Sequence, residues 1–141
     1  MDLITRDFTV NAGLPAILQD DFTKRTYTWD ADSSTDLCMM LNTCMDFERQ
    51  GWKVALECPV TGVHRSFRIP VIATRDSAVL IIKPVKDPKK INLAGLKMLD
   101  IKYAVEETIS GLDVRPVVYG FLSAFDQRRK TSNDYEIWLR G

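Results

Sequence analysis

The residues with the most obvious chemistry in this chain are basic ones crowded into short stretches. Lys83, Lys86, Lys89 and Lys90 fall within eight positions, Arg65 and Arg68 lie not far before them, and Arg128, Arg129 and Lys130 form a second cluster. Basic side chains grouped in this way grip phosphates by charge and do not read base sequence. Their ordinary alternative is to keep loops solvated. Arg65 and Arg68, three apart in a strand-like stretch, are expected to point to opposite faces. The acids are scattered, and each has a plain role. Asp36 suits the first turn of a helix. Glu57 suits an exposed strand position, and Asp76 a turn. Asp100 suits a helix surface, as the i,i+3 partner of Lys97. Asp87 follows the stretch that ends in Lys83.

Other chemistries find little support. The three cysteines, Cys38, Cys44 and Cys58, have no metal-type spacing, and the single His64 cannot complete a zinc site with them. They read as small buried hydrophobes. No nucleophile motif accompanies His64, so Ser/His/Asp catalysis is not expected. Gly95 and Gly111 are isolated, and no glycine-rich phosphate loop occurs. Trp29, Trp52 and Trp138 read as packing residues rather than base-stacking platforms. No resident metal, no cofactor and no small-molecule substrate is expected.

The chain has 141 residues, 45% of them hydrophobic and 27% charged. That is the length of one domain, able to hide roughly 70% of its unfolded surface without a disulfide or metal staple. The charged fraction with this much apolar content excludes a chain disordered throughout. Lys plus Arg and Asp plus Glu both number 19, so the net charge is zero. That excludes a histone-like, uniformly basic coat while allowing local basic patches. The odd cysteine count, the lack of a membrane-length apolar run and an N-terminus without a signal layout point to the cytosol, of a bacterium or of a virus-infected cell.

The elements that must position the basic residues follow from periodicity. Residues 1–32 read as irregular or extended, with Arg25–Trp29 a short strand or packed arm. Residues 33–141 form the rest of a single domain. Ser33-Ser34-Thr35-Asp36 starts a helix. Leu37, Met40, Leu41, Cys44 and Phe47 follow at helical spacing, and Gly51 closes the helix. Val54, Leu56 and Cys58 alternate as a strand, and Pro59-Val60-Thr61-Gly62 reads as a turn. Phe67, Ile69, Val71 and Ala73 alternate as the next strand, and Thr74–Ser77 turns again. Ala78–Ile82 is a continuous apolar run, as in a central strand buried on both faces. Pro84 and Pro88 then break the chain. Leu93, Leu96, Leu99/Asp100 and Tyr103 mark a second helix that ends by Gly111. Val114–Leu122 is a further strand, Asp126–Asp134 a charged loop, and Tyr135–Leu139 a last strand. Helix, three antiparallel strands, helix, strand is a mixed α/β order.

That order, with a buried strand leaving through Ile82-Lys83-Pro84, resembles the PD-(D/E)XK nuclease superfamily. It is most similar to TnsA-like transposon endonucleases and phage head-completion nucleases. The resemblance spans roughly residues 33–122. It rests on Pro59–Gly62, on Phe67–Thr74, on Val79–Pro84, and on the helix and strand that follow. It implies a mixed sheet flanked by helices and a site where carboxylates hold Mg²⁺ while a lysine stabilises developing charge. The strand aspartate of that pattern falls on Pro70 and the acid of its acid-x-lysine pair on Ile81, while the lysine is kept as Lys83. Neither proline nor isoleucine can ligate a metal. The helix acid used by some members corresponds to Asp36.

Three readings follow. The first is a degenerate nuclease-fold protein that binds DNA through Arg65, Arg68, Lys83, Lys86, Lys89 and Lys90. Alternatively such a protein would pair with an active partner, in either case within a transposition, recombination or phage-assembly complex. The second is an active nuclease with a relocated Mg²⁺ or Mn²⁺ site from Asp36, Glu57 and Asp100 beside Lys83. The third is a structural or regulatory protein-interaction module without DNA affinity. The chain has little room for the extra DNA-reading domain, resembling a winged helix, of longer TnsA-like proteins, so a partner chain or homo-oligomer is expected.

Overall fold

The computed structural model describes residues 16–20, 24–33, 35–61, 65–108, 111–121 and 135–139. In chain order the elements are β1 (Ala16–Gln19), β2 (Thr26–Trp29), α1 (Asp36–Glu48), β3 (Lys53–Thr61), β4 (Ser66–Arg75), β5 (Ala78–Val85), a 3₁₀ turn (Pro88–Lys90), α2 (Ile91–Thr108), β6 (Asp113–Gly120) and β7 (Glu136–Leu139). Strands β3 to β7 form one sheet in that order. Neighbours are antiparallel from β3 to β5 and parallel from β5 to β7. The mixed α/β expectation and the central place of the Ala78–Ile82 run hold.

Helix α1 starts where its hydroxyls predict. The Thr35 side chain accepts the Cys38 N–H, capping the first turn. Beyond its end Gly51 takes φ +92°, a conformation that costs glycine least. Leu41, Cys44, Met45 and Phe47 pack on one face of the sheet with Leu56, Val71, Leu80, Ile82 and Val117. Phe47 lies 5.3 Å from the Tyr119 ring and 5.5 Å from the Trp138 ring. On the other face Met98, Ile101 and Val105 of α2 cover Val79, Ile81 and Val114. Successive residues of β5 therefore supply two cores, which is why its sequence is apolar without alternation.

The buried stripe of α2 differs from the expected one. Ile91, Ala94, Met98, Ile101 and Val105 are buried, whereas Leu93, Leu96 and Tyr103 stand 73%, 58% and 53% exposed. Both sets have helical spacing, and the sheet takes the β-branched and small one. The expected breaks at two prolines also move. Pro59 lies inside β3, opposite Arg68. An edge strand tolerates it, since one side of its ladder needs no donor. Pro84 lies inside β5. The Val85 carbonyl accepts from Phe121 N–H on the β6 side, so the N of Pro84 faces the β4 side. There β4 no longer pairs, because the β4–β5 ladder ends at Val71 and Ile82.

Strands β3 and β4 change faces together. Leu56 and Val71 pack under α1, but Cys58 and Ile69, two residues further along, pack under α2. Between them the opposed residues Glu57 and Pro70 are missing from the ladder. Glu57 has φ +49°, and Pro70 has no N–H to donate. A paired distortion of this kind bends the hairpin and increases its twist. The expected single alternation through Phe67, Ile69, Val71 and Ala73 is thus broken at Pro70.

The segment before α1 is tied to the sheet rather than merely extended. β1 and β2 pair antiparallel. Trp29 is buried, and its Nε1–H donates to Asn42 Oδ1 at 2.8 Å. Buried Asp20 accepts the Leu56 N–H at 2.7 Å, which satisfies an edge-strand donor of β3. The Cys58 thiol lies in the same region. Burial first, and the Asp20 carboxylate second, push its pKa from the ordinary 9.0 up to about 11. The raised value sets a sign. Below pH 9 the thiol is neutral in both states and its contribution is complete. As pH rises from 9 to about 11 the unfolded chain ionises first and stability falls, by about 2 kcal/mol in all. Urea unfolding of the native protein should lose about that much more than Cys58→Ala over this interval. Equal losses in the two proteins would refute the assignment.

Gly95 sits where the chain entering β7 crosses α2. A Cβ there would run into the Tyr135 ring. Tyr135 is buried, and its hydroxyl donates to Asn92 Oδ1 at 2.9 Å. Gly95→Ala gains about 1 kcal/mol of helix propensity. Displacing the ring costs about 1–3 kcal/mol, and the lost hydrogen bond about 1 kcal/mol more. The expected net is a lower urea midpoint; a higher one would mean the ring moves aside freely.

Candidate nucleic-acid interface

A cleft of about 430 Å³ opens at the end of β5. Its walls are Asp36 and Met39 from α1, Lys83–Asp87 from β5 and the residues after it, and Lys90, Leu93, Ala94 and Lys97 from the 3₁₀ turn and α2. The two helices cover opposite faces of the sheet, yet both reach the cleft. Past Ile82, β5 is paired with β6 alone, so the sheet is open on the β4 side.

Each basic residue has a positional cause. Lys83 alternates with Ile82, so its side chain leaves on the α2 side, where it is half-buried. Lys86 follows the last strand residue. Lys90, at the end of the 3₁₀ turn that runs into α2, and Lys97 of α2 are seven apart, about two helical turns, and come to the same side. Four lysines thus face two aspartates. Among the described residues none of these lysines has an ion pair with a carboxylate. Asp87 is occupied in part, since its Oδ1 accepts the Lys89 N–H at 3.0 Å and caps the 3₁₀ turn. Asp36 stands in the first turn of α1. The partly positive starts of both helices add to the lysine field. The cleft therefore favours anions. Its volume is that of a small ligand site, and its open side allows a longer polyanion to pass.

Of the residues singled out from the sequence, the structure brings Asp36, Lys83, Lys86, Asp87 and Lys90 together. Lys89 is exposed nearby but does not line the cleft. Glu57 and Arg68 are elsewhere, paired with each other at 3.7 Å on the β3–β4 hairpin. Arg65 is also exposed there, its guanidinium carbon 4.9 Å from the centre of the Phe67 ring. Asp100 is exposed on α2 and is not part of the lining. Ile81 is fully buried beneath Met98 and Ile101, and Pro70 is half-buried opposite Glu57. His64, Arg128, Arg129 and Lys130 lie outside the described residues. Lys97 was expected only as a partner for Asp100; its spacing from Lys90 was the available signal for its place in the cleft.

The described part of the cleft does not fit a hard divalent cation. Such an ion needs several oxygen ligands, and here two carboxylates stand among four ammonium groups. Among the described residues no three His, Cys, Asp or Glu side chains come together as a metal-holding group. No described helix is long and apolar enough to cross a membrane. The sequence matches no protein-family model and no curated protein sequence.

Proposed function

We propose that this chain is a nuclease-fold protein that holds nucleic-acid phosphates in the cleft at the end of β5 and does not cut them. It would serve in the cytosol beside a partner, in a transposition, recombination or phage-assembly complex. The observation that carries this reading is the convergence of Lys83, Lys86, Lys90 and Lys97 on one cleft from three separate elements. Clustered lysines bind the backbone by releasing counterions, without demanding a sequence. The order of elements and the kept Lys83 support the nuclease resemblance. Pro70 and Ile81, at the two positions where that pattern has acids, support the loss of cutting.

The test is a titration into labelled duplex DNA at low salt, with and without Mn²⁺, with the same samples run on a denaturing gel. Binding that salt weakens, without cleavage, is the expected result. Cleavage that requires Mn²⁺ would overturn it in favour of an active site around Asp36, Glu57, Asp100 and Lys83. Neither binding nor cleavage would leave a protein-contact scaffold, whose partner a pull-down would seek.

A further inference from the structure

The exposed face of α2 carries a seam with a symmetry of its own. Lys89, Leu93, Leu96, Asp100, Tyr103 and Glu107 are all exposed. Their spacings are four, three, four, three and four, the alternation by which one helix presents a narrow stripe to another. Lys89 belongs to the 3₁₀ turn that runs directly into α2, since Ile91 is already α-helical. The stripe is centred on Met98, which faces the core on the opposite side. Reversing the helix about that centre lays Lys89 on Glu107, Leu93 on Tyr103 and Leu96 on Asp100. A basic end meets an acidic end, and an apolar residue meets an aromatic one.

We infer that two copies of this chain associate through antiparallel α2 helices, with the symmetry axis passing beside Met98. The second copy is the occupant because the face is complementary to itself. A twofold interface requires that residue i meet j while j meets i, and under that reversal two of the three pairs are complementary, Lys89 with Glu107 and Leu93 with Tyr103. Charge complementarity fixes the direction. A parallel pair would put Lys89 on Lys89 and Glu107 on Glu107, two like-charge contacts. The one polar layer, Leu96 with Asp100, lies next to the axis. Lys97 flanks the stripe and comes beside Asp100 of the second copy. A single polar layer in such a seam lowers affinity but sets the register. The contact runs about 27 Å along α2, so a modest, micromolar association is expected. Leu93 and Lys97 also line the cleft, so the seam borders it, but the association is read on DNA-free protein and its outcome is separate from that of the nucleic-acid reading.

Sedimentation velocity of the whole chain, without DNA, tests it over concentrations up to about 100 μM. The protein should pass from monomer to dimer within that range. Leu93→Lys with Leu96→Lys removes four leucines from the dimer and should weaken it about a hundredfold or more. Both positions are exposed, and a retained circular dichroism spectrum would show the fold intact. Lys89→Glu should weaken association about tenfold, because it creates two like-charge contacts per dimer. Lys89→Glu with Glu107→Lys exchanges the charges and should restore it to within about threefold. A protein that stays monomeric overturns the inference. So does a dimer indifferent to the leucine changes, or a double charge exchange no better than Lys89→Glu alone.

Discussion

Replacing Lys83, Lys86, Lys90 and Lys97 together by glutamine should lower affinity for duplex DNA about a thousandfold at low salt. Each lysine that sits on a phosphate releases one condensed counterion, and the logarithm of the binding constant falls with the logarithm of salt by about 0.9 per contact. Four lost contacts should therefore flatten that slope by about 3 to 4, and Lys83→Gln alone by about 1. The exposed Lys86, Lys90 and Lys97 should hardly affect stability, since none is in a described ion pair and exposed substitutions usually stay within about 0.5 kcal/mol, and the half-buried Lys83 is replaced by the uncharged, similarly shaped glutamine. Arg65→Gln with Arg68→Gln supplies the comparison. Those residues stand on the β3–β4 hairpin, and Arg68 already faces Glu57, so their removal should cost far less. An unchanged salt slope in the quadruple variant would remove the cleft from consideration as the phosphate site.

Ile81→Glu should strongly destabilise the protein at neutral pH. The substitution writes an acid two residues before Lys83, the spacing of an acid-x-lysine pair. Yet Ile81 has no exposed surface and lies beneath Met98 and Ile101. A carboxylate there reaches neither the cleft nor water. Loss of the buried isoleucine and burial of an unpaired polar group together cost about 4 kcal/mol or more, against a total stability of about 5–15 kcal/mol. Burial raises the pKa of such a glutamate above its unfolded value of about 4.3. The variant should then be least impaired below about pH 4, where the acid is neutral in both states. Its deficit should grow as pH rises towards the folded pKa. Urea unfolding at several pH values checks this. A stable Ile81→Glu protein that cuts DNA with Mn²⁺ would mean that the position opens to the cleft, contrary to the packing under α2.

The elements were legible in the sequence to different degrees, according to how local their causes are. Thr35 and Asp36 announce the start of α1, and Gly51 its close, through hydrogen bonds and dihedral angles that involve only neighbouring residues. The unbroken run Ala78–Ile82 shows a strand covered twice. The pairing of Ala16–Gln19 with Thr26–Trp29 was half legible: both strands are four residues, but only the second is made of β-type residues, whereas the first, with Ala16, Leu18 and Gln19, is equally at home in a helix. Pro59 and Pro84 misled as breaks because a proline's tolerance depends on which side of the strand lacks a partner.

By itself the sequence determined the order of the main elements from α1 onward, the mixed α/β class and the place of Lys83 directly after the buried run of the central strand. These follow from periodicity, caps and turn chemistry, which act over a few residues. The tertiary structure decided the rest. Two stripes on α2 have equally good helical spacing, and only the sheet beneath selects Ile91, Met98, Ile101 and Val105, leaving Leu93, Leu96 and Tyr103 outside. The β4–β5 ladder ends at Val71 and Ile82, beside the skipped pair Glu57 and Pro70, and leaves the end of β5 unpaired on the β4 side. Lys97 joins Lys83 there, fourteen residues away along the chain, because α2 folds back and packs across the sheet. Burial is a property of what lies opposite, and no window of sequence contains its own opposite face.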